Sequence, residues 1–143
     1  MRIRPPVPSD CGAVAELAGQ LGYPSTAREL RARLATLKDR RQYAVFVAQE
    51  PAGQLSGWVG VFIFRSVETA PCAEISGLIV DRRQRSRGIG KLLLDAAAKW
   101  ARRRGCGEIQ VHSNAIRRRA HRFYESHGFQ RVKTQKLLSK RLT

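Results

Sequence analysis

Residues 73–105 read AEISGLIVDRRQRSRGIGKLLLDAAAKWARRRG and contain the signals that decide the fold. The first part, 73–81, is rich in β-branched and apolar residues and predicts a strand. From Gly88 the apolar period becomes helical, and positions 89, 92, 93, 96, 97, 100 and 101 predict one broad apolar face. The helix is expected to end at Gly105, because glycine adopts the left-handed capping conformation and arginines 102–104 suit the negative end of the helix dipole. A strand and a long helix therefore frame a basic turn.

The rest of the chain predicts further elements on both sides of this unit, which give the order βααβββαβαβ and an α/β (α+β) fold class. Upstream, the predicted elements are a strand at 2–4, a helix capped by Ser9-Asp10 and ending near Leu21, a helix capped by Ser25 or Thr26, and strands at 43–49 and 55–65. Downstream, they are a strand at 108–113, a short helix that Gly128 closes, and a last strand at 129–138.

The bulk composition predicts one folded domain spanning residues 1–143. Hydrophobic residues make up 43% of the chain and charged residues 27%, which is typical of a globular protein. The longest apolar run, 59–64, is too short to cross a bilayer, and the first residues lack the apolar stretch of a signal peptide, so a cytoplasmic protein is the expectation. The three cysteines show no metal-binding spacing, so we expect neither a disulfide framework nor a metal.

The charge balance leaves open a function of a different class. Lys and Arg total 27 against 11 Asp and Glu, a formal net charge of +16 that attracts polyanions. A basic nucleic-acid-binding protein is therefore an alternative. The sequence carries no helix-turn-helix or aromatic RNA-binding signature, so nucleic acid is not expected as a substrate.

The basic turn itself predicts a phosphate site. Gly88 and Gly90 allow close backbone approach, and the free N–H groups at the start of the following helix suit a diphosphate. A simple tight turn is the alternative interpretation of the two glycines. The run matches neither the Walker pattern nor the Rossmann GxGxxG pattern, since position 93 is leucine.

Two separated motifs resemble those of the GNAT superfamily of N-acetyltransferases. Arg85-x-x-Gly88-x-Gly90 resembles its Arg/Gln-x-x-Gly-x-Gly/Ala signature, and 120–129 (AHRFYESHGF) resembles its A-x-x-F/L-Y-x-x-x-G-F block. The resemblance covers nearly the whole chain and is most specific over 73–130. It implies a mixed central sheet flanked by about four helices, acetyl-CoA as cosubstrate, and transfer of an acetyl group to a primary amine by direct attack in a ternary complex. A GNAT domain that binds coenzyme A without catalysis is a second alternative.

The resemblance also implies which residues bind the coenzyme. Backbone amides of the basic turn would hold the diphosphate, the open edge of the 73–81 strand would pair with the pantetheine arm, and Asn114 would hydrogen-bond that arm. The arginines at the start of the short helix lie at the positive end of its dipole, which is unfavourable for them. A bound anion would compensate their charge. The candidate cofactor-binding residues are Leu78, Ile79, Val80, Arg85, Ser86, Arg87, Gly88, Ile89, Gly90, Lys91, Asn114, Arg119 and Phe123.

Two candidate catalytic residues follow. The resemblance implies that Tyr124 is the general acid for the departing thiolate, and a core aromatic is the alternative. Glu74 lies eleven residues before Arg85, the spacing of the catalytic glutamate in the histone acetyltransferase branch, and is the candidate base; a solvated or paired carboxylate is the alternative. Strand alternation predicts Glu74 and Ser76 on the face opposite Ile75 and Gly77. The free N–H of Leu78 or Ile79 is the candidate donor to the oxyanion.

The acceptor amine is the part of the function that the sequence does not fix. Aminoglycosides, polyamines, amino acids, small amines and protein N-termini all fit, although the positive charge disfavours a polycation. Tyr23 and Trp58 are candidates for lining the acceptor cleft, with a core position as the alternative for Trp58. A homodimer is possible, since members of the family are often dimers.

Overall fold

A computed structural model describes residues 1–113 and 118–142, which fall into two compact units, Met1–Val111 and His112–Thr143. In the first unit the strands are β1 (Arg2–Arg4), β2 (Tyr43–Gln49), β3 (Leu55–Phe64), β4 (Cys72–Val80) and β5 (Ile109–Val111), and the helices are α1 (Cys11–Leu21), α2 (Ala27–Thr36) and α3 (Ile89–Arg103). In the second, one helix, α4, spans Arg118–Ser126. The single domain that the sequence predicts stays a prediction.

The five strands form one mixed sheet in chain order. Strands β1 to β4 are antiparallel neighbours, and β5 runs parallel to β4 at the edge. The parallel pair is joined by α3, as a crossover connection requires. The predicted α/β class is confirmed, and so is the predicted order βααβββαβαβ up to its last strand.

Helices α1 and α3 cover opposite faces of the sheet. Trp58 on β3 donates from Nε1 to the carbonyl oxygen of Val14 on α1, at 3.2 Å. The neighbouring Gly57 faces the other way, where Leu93 Cδ1 of α3 lies 3.1 Å from the position that a β-carbon would occupy. Leu93 is fully buried, whereas Leu92 is 43% exposed and Leu94 is buried in its place. The predicted apolar face of α3 is therefore wrong at position 92.

Local sequence sets the ends of the helices. Thr26 caps α2 by accepting a hydrogen bond from the N–H of Glu29 at 3.1 Å, and the Glu29 carboxylate accepts one from the N–H of Thr26 at 3.0 Å. This reciprocal pair is a capping box. Gly22 ends α1 in the left-handed conformation, with φ of 101°. The predicted end of α1 near Leu21 is confirmed, and of the two residues predicted to cap α2, Thr26 does so.

The predicted last strand at 129–138 is wrong. Residues 129–142 form neither helix nor strand, and Val132, Leu137, Leu138 and Leu142 are 87–94% exposed. A strand is stabilised by its ladder partner and by burial of one face, and this segment has neither within the described residues. Alternation of side chains alone therefore does not produce a strand here.

An ion pair anchors the segment that links β1 to α1, and it should make stability depend on pH. The Arg4 guanidinium lies 2.8 Å from the Asp10 carboxylate, which also accepts the N–H of Val7 at 2.7 Å. The hydrogen bond from Arg4 holds the pKa of Asp10 below its ordinary 3.8, and the Val7 hydrogen bond acts in the same direction. A carboxylate with a lowered pKa stabilises the fold above its unfolded pKa, and that contribution is lost as pH falls through the folded value.

We expect Asp10→Asn to lower the free energy of unfolding at pH 7 by about 1.5–3 kcal/mol, the range for hydrogen bonds to charged groups. The loss should shrink as pH falls below about 4, where the unfolded wild-type chain protonates Asp10, and vanish once pH falls through the lower pKa of the folded carboxylate. Urea unfolding at pH 7 and pH 3 measures both effects. Asp39→Asn is the control, because Asp39 pairs with Arg41 at the surface. Equal losses at both pH values would contradict the assignment to Asp10.

Candidate active site

The turn between β4 and α3 is organised by one carboxylate. Asp81 accepts a hydrogen bond from the N–H of Arg83 at 3.0 Å and begins a 3-10 turn over Arg82–Gln84. Hydrogen bonds from the Arg83 side chain and then its backbone lower the pKa of Asp81. Beyond this turn, Ser86 and Gly88 have left-handed backbones, with φ of 68° and 79°. Left-handed residues in a turn direct successive N–H groups to one side, which is the geometry of anion-binding concavities.

The start of α3 offers unused hydrogen-bond donors. Gly88 is the N-cap and has no side chain to accept from the first turn. The first backbone bond of the helix runs from the N–H of Leu92 to the carbonyl of Gly88, at 3.2 Å. In the described part of the chain, the N–H groups of Ile89, Gly90 and Lys91 therefore have no acceptor. Three free donors at the positive end of a helix dipole fit a diphosphate.

Two long-range contacts hold this turn in place, and the sequence did not predict either. Arg87, a predicted phosphate contact, forms an ion pair with Glu50 at 3.0 Å and also bonds Gln84. Glu50 is 8% exposed and directly follows β2. The N–H of Arg82 donates to Gln20 Oε1 of α1 at 3.0 Å. Sequence offers no signal for these contacts, since the partners are 37 and 62 residues apart.

Half of β4 has an open edge. Its pairing with β5 covers Ala73 to Ile75, whereas its pairing with β3 continues to Val80. Asp81 donates its N–H to Ser56 on β3 at 2.8 Å, so by alternation Ile79 also faces β3. The N–H and carbonyl groups of Leu78 and Val80 then point to the open edge. An extended chain with amide groups fits beside them, as an added strand does.

A β-bulge at Ser76 changes the faces of β4. Val61 pairs with Ile75 and Gly60 with Gly77, which leaves Ser76 as the extra residue. The Trp58 ring lies 3.0 Å from the position of a β-carbon on Gly77, so Gly77 shares the α1 face with Ser76 and Glu74. The predicted alternation is therefore wrong at Gly77, because a bulge inserts one residue. Glu74 is 7% exposed.

The predicted acid lies in the second unit, in a small aromatic cluster. The Tyr124 ring contacts Phe123 and Phe129, with centroid distances of 5.2 and 5.3 Å. Its carbonyl accepts the N–H of Phe129 at 3.0 Å, and Gly128 takes the left-handed conformation that closes α4. The half-buried Tyr124 and the exposed Arg119 are placed on this helix. Asn114 and Arg117 lie outside the described residues.

Three further features concern metal-binding groups, membrane-spanning helices and the position of Lys91. Within residues 1–113 and 118–142, no three His, Cys, Asp or Glu side chains are grouped so as to hold a metal ion. No described helix is long and apolar enough to span a bilayer. Lys91 pairs with Asp95 at 2.8 Å on the exposed side of α3, so its ammonium lies at the helix surface.

The motif resemblance assigns Gly88 to a coenzyme site, and replacing Gly88 by alanine tests that prediction without introducing a steric clash. No heavy atom lies within 4 Å of an added β-carbon, so the cost comes from the left-handed backbone alone, about 1–2 kcal/mol. The unliganded variant can avoid this cost by relaxing its turn and must meet it again on binding, so the Kd for coenzyme A should rise by up to about 5- to 30-fold. Calorimetric titration measures it. Gly107→Ala is the control, since Gly107 also has open space and does not have a left-handed φ; equal affinities in both variants would contradict the prediction.

Comparisons with known proteins agree on one family. The sequence profile of the Acetyltransferase (GNAT) family matches residues 14–129. The chain is 45% identical over 58 residues to the uncharacterized N-acetyltransferase YhdJ of Bacillus subtilis (strain 168), a match that covers 41% of this chain and spans only 32% of that relative's length. It is 29% identical over 133 residues to the aminoglycoside N(6')-acetyltransferase type 1 of Stenotrophomonas maltophilia, covering 90% of this chain and 85% of the relative.

A solved structure supports the fold. AAC(6')-Iy, determined in complex with the bisubstrate analog CoA-S-monomethyl-acetylneamine, superposes with a TM-score of 0.85 at 20% identity. The superposition covers 99% of this chain and 98% of the other.

Proposed function

The chain belongs to the acetyltransferase (GNAT) family, and we propose that the turn after β4, the open edge of β4 and Tyr124 serve its acetyl-CoA-dependent N-acetyltransfer to a primary amine. Members of the family use acetyl-CoA, and AAC(6')-Iy was solved with an analogue that contains coenzyme A. The resemblance found in the motifs at 85–90 and 120–129 and the family match agree.

The observation that carries the site proposal is the set of free donors at the start of α3. The N–H groups of Ile89, Gly90 and Lys91 receive the diphosphate, and the left-handed backbone at Gly88 lets its oxygens approach closely. The carbonyl of Leu78 and the N–H and carbonyl of Val80 are offered at the open edge to the amides of the pantetheine arm, which leaves the N–H of Leu78 for the reacting carbonyl. Arg85, Ser86 and Arg87 lie in the same turn, and their backbone completes the phosphate cradle.

The proposed chemistry divides among three groups of the protein. Acetyl-CoA, when bound, supplies a thioester with an electrophilic acetyl carbon and a thiol leaving group. Glu74 accepts a proton from the attacking amine, directly or through water. The N–H of Leu78 donates to the carbonyl oxygen as negative charge develops on it. Tyr124 donates a proton to the departing sulfur, a role proposed from its motif.

We expect Tyr124→Phe to lower kcat by about 10²-fold, the low end for general acid–base catalysis, because a thiol of pKa about 8.5 leaves with little help. The Kd of coenzyme A should stay unchanged. Single-turnover release of free thiol and calorimetry separate the two quantities. Phe129→Leu is the control for loss of ring packing in the same cluster. A rise in Kd with unchanged kcat would assign Tyr124 to packing or binding.

For the acceptor we propose an aminoglycoside-like primary amine, the class named for the Stenotrophomonas relative that matches 90% of the chain. The net charge of +16 opposes such a polycation, whereas a neutral or acidic amine has no such penalty. The dependence of KM on salt concentration distinguishes a cationic acceptor from an acidic one. Screening removes repulsion, so KM for a cationic acceptor should fall as salt rises, while KM for an acidic acceptor should rise.

A panel of amines with detection of released thiol tests the function. The panel contains neamine, glucosamine, an anionic amino sugar and a peptide with a free N-terminus, each at low and high salt. Turnover with neamine and a KM that falls with salt support the proposal. Turnover confined to the anionic amine would reassign the acceptor. If acetyl-CoA shows no calorimetric binding and no amine releases thiol, the function itself is excluded.

A further inference from the structure

A large groove in the first unit lies apart from the proposed coenzyme site. Its volume is about 940 Å³, and it lies among the segment after β1, the end of α2, β2 and the second half of α3. The α3 residues that line it begin at Ala96 and reach Arg103 and Arg104. At about 1.5 Å per helical residue, these positions are about 12–24 Å along the helix from Gly88. The groove is therefore a second concave surface.

The groove is lined by apolar side chains and by charged side chains of one sign. The apolar side chains include Val7, Leu34, Leu37, Tyr43, Val45 and Trp100. Every charged residue in the lining is a cation: Arg31, Lys38, Arg40, Lys99, Arg103 and Arg104. Within residues 1–113 and 118–142, none of these six forms an ion pair with a carboxylate. The nearby Asp39 bonds the N–H of Arg41 at 3.0 Å and is paired with the Arg41 side chain, so it acts on Arg104 only as a more distant charge.

Helix electrostatics account for only part of this cluster. Arg103 and Arg104 lie at the C-terminal end of α3, where cations are favoured by the dipole. Lys38 follows the C-terminal end of α2, where the dipole acts in the same way, but Arg31 and Lys99 lie before the last turns of their helices, and the dipole does not explain their place in the groove. Six like charges around one apolar surface repel each other, and an anion in the groove would relieve that repulsion.

The walls of the groove are held by specific contacts, so it does not depend on a ligand for its shape. Prolines 5, 6 and 8 restrict the backbone on one side, and the Arg4–Asp10 ion pair anchors that segment. On the other side, Trp100 Nε1 donates to the carbonyl of Arg40 at 3.1 Å, and Arg104 Nη2 donates to the same oxygen at 3.1 Å. The Arg104 guanidinium also lies 5.6 Å from the Trp100 ring centroid.

We propose that this groove binds a small organic anion with an extended apolar body, its acid group among the cations and its body on the apolar lining. Its volume falls in the range of about 300–1,000 Å³ typical of small-molecule sites, which favours such a ligand over a protein partner. The mixed lining indicates this class of ligand. A purely apolar ligand would leave the positive charges of the lining uncompensated, and an inorganic anion would leave its apolar side chains exposed to water. This inference is independent of the proposed function.

The test uses the full chain and 8-anilinonaphthalene-1-sulfonate, an aromatic sulfonate whose fluorescence rises in apolar surroundings, with dodecanoate as competitor. We expect one saturable site, displacement by dodecanoate, and the same Kd with and without saturating coenzyme A. Ala35→Trp should weaken binding, because Ala35 is an exposed lining residue and the indole fills the groove. Absence of saturable binding, or displacement of the probe by coenzyme A, overturns the proposal.

Paired charge reversals separate a local site from the overall charge. Lys99→Glu with Arg103→Glu removes two lining cations, and Arg28→Glu with Arg102→Glu makes the same change in net charge at exposed positions outside the lining. The first pair should raise the Kd of the sulfonate at least about tenfold, the change expected when charge-assisted contacts are lost. The second pair should change it less than about twofold, as screened surface charges do. Equal losses in both pairs overturn the proposal.

Discussion

Replacing Glu74 by glutamine should lower kcat by about 10²–10⁴-fold at neutral pH, the range that general-base catalysis typically contributes. Glutamine has nearly the shape of glutamate, so the buried position on the α1 face of β4 is kept while the proton acceptor is lost. The Kd of acetyl-CoA should stay the same. Steady-state thiol release and calorimetry measure the two quantities.

The pH dependence separates catalysis by Glu74 from a structural role. At high pH the acceptor amine is already neutral, so Glu74→Gln should regain part of the lost rate, whereas a misfolded site should not recover. Glu108→Gln, an exposed carboxylate just before β5, is the control and should keep wild-type rates. A kcat of Glu74→Gln within about threefold of wild type would remove Glu74 from the mechanism.

Replacing Leu78 by proline should lower kcat by about 10²–10³-fold, the loss typical of one oxyanion donor. Proline removes the N–H, and at this position the N–H points to the open edge of β4, so no ladder bond to β3 is lost. The residue before it is Gly77, whose missing side chain avoids the clash that proline normally makes with its predecessor. Single-turnover thiol release measures the effect.

Two controls keep this experiment decisive if the proline ring disturbs the strand. An ester at the 77–78 linkage replaces the N–H of Leu78 with oxygen and adds no ring, and it should produce a loss of the same order. Ile79→Pro removes an N–H that faces β3 and should instead reduce the free energy of unfolding. An ester variant with wild-type kcat would show that Leu78 does not stabilise the oxyanion.

Local sequence predicted the central sheet well, because the signals there are local. The run at 43–49 is β-branched and aromatic and is bounded by turn residues, and it became β2 at the predicted residues. The prediction of a last strand at 129–138 was wrong for a different reason. Its alternating residues at 129–138 need a paired neighbour, and pairing is not encoded within a single segment.

In the candidate site, too, the features set by adjacent residues were predicted and those set by distant residues were not. The glycine turn and the start of α3 follow from adjacent residues and were predicted. The bulge at Ser76 was not, although it decides which amide is available: without the extra residue, Ile79 rather than Leu78 would face the open edge. Gln20 and Glu50, which fix the turn from distant segments, were also missed, because single-sequence patterns report only near neighbours.

The ion pair between Arg87 and Glu50 has a consequence for the kinetics of encounter. It ties the turn to the end of β2, so we expect the donors of α3 to need little rearrangement to bind the proposed phosphate groups. A preorganised receptor loses little conformational entropy on association, and a surplus of 16 positive charges accelerates the approach of an anionic nucleotide. For the proposed coenzyme site we therefore expect a capture rate that depends on diffusion and ionic strength rather than on loop motion.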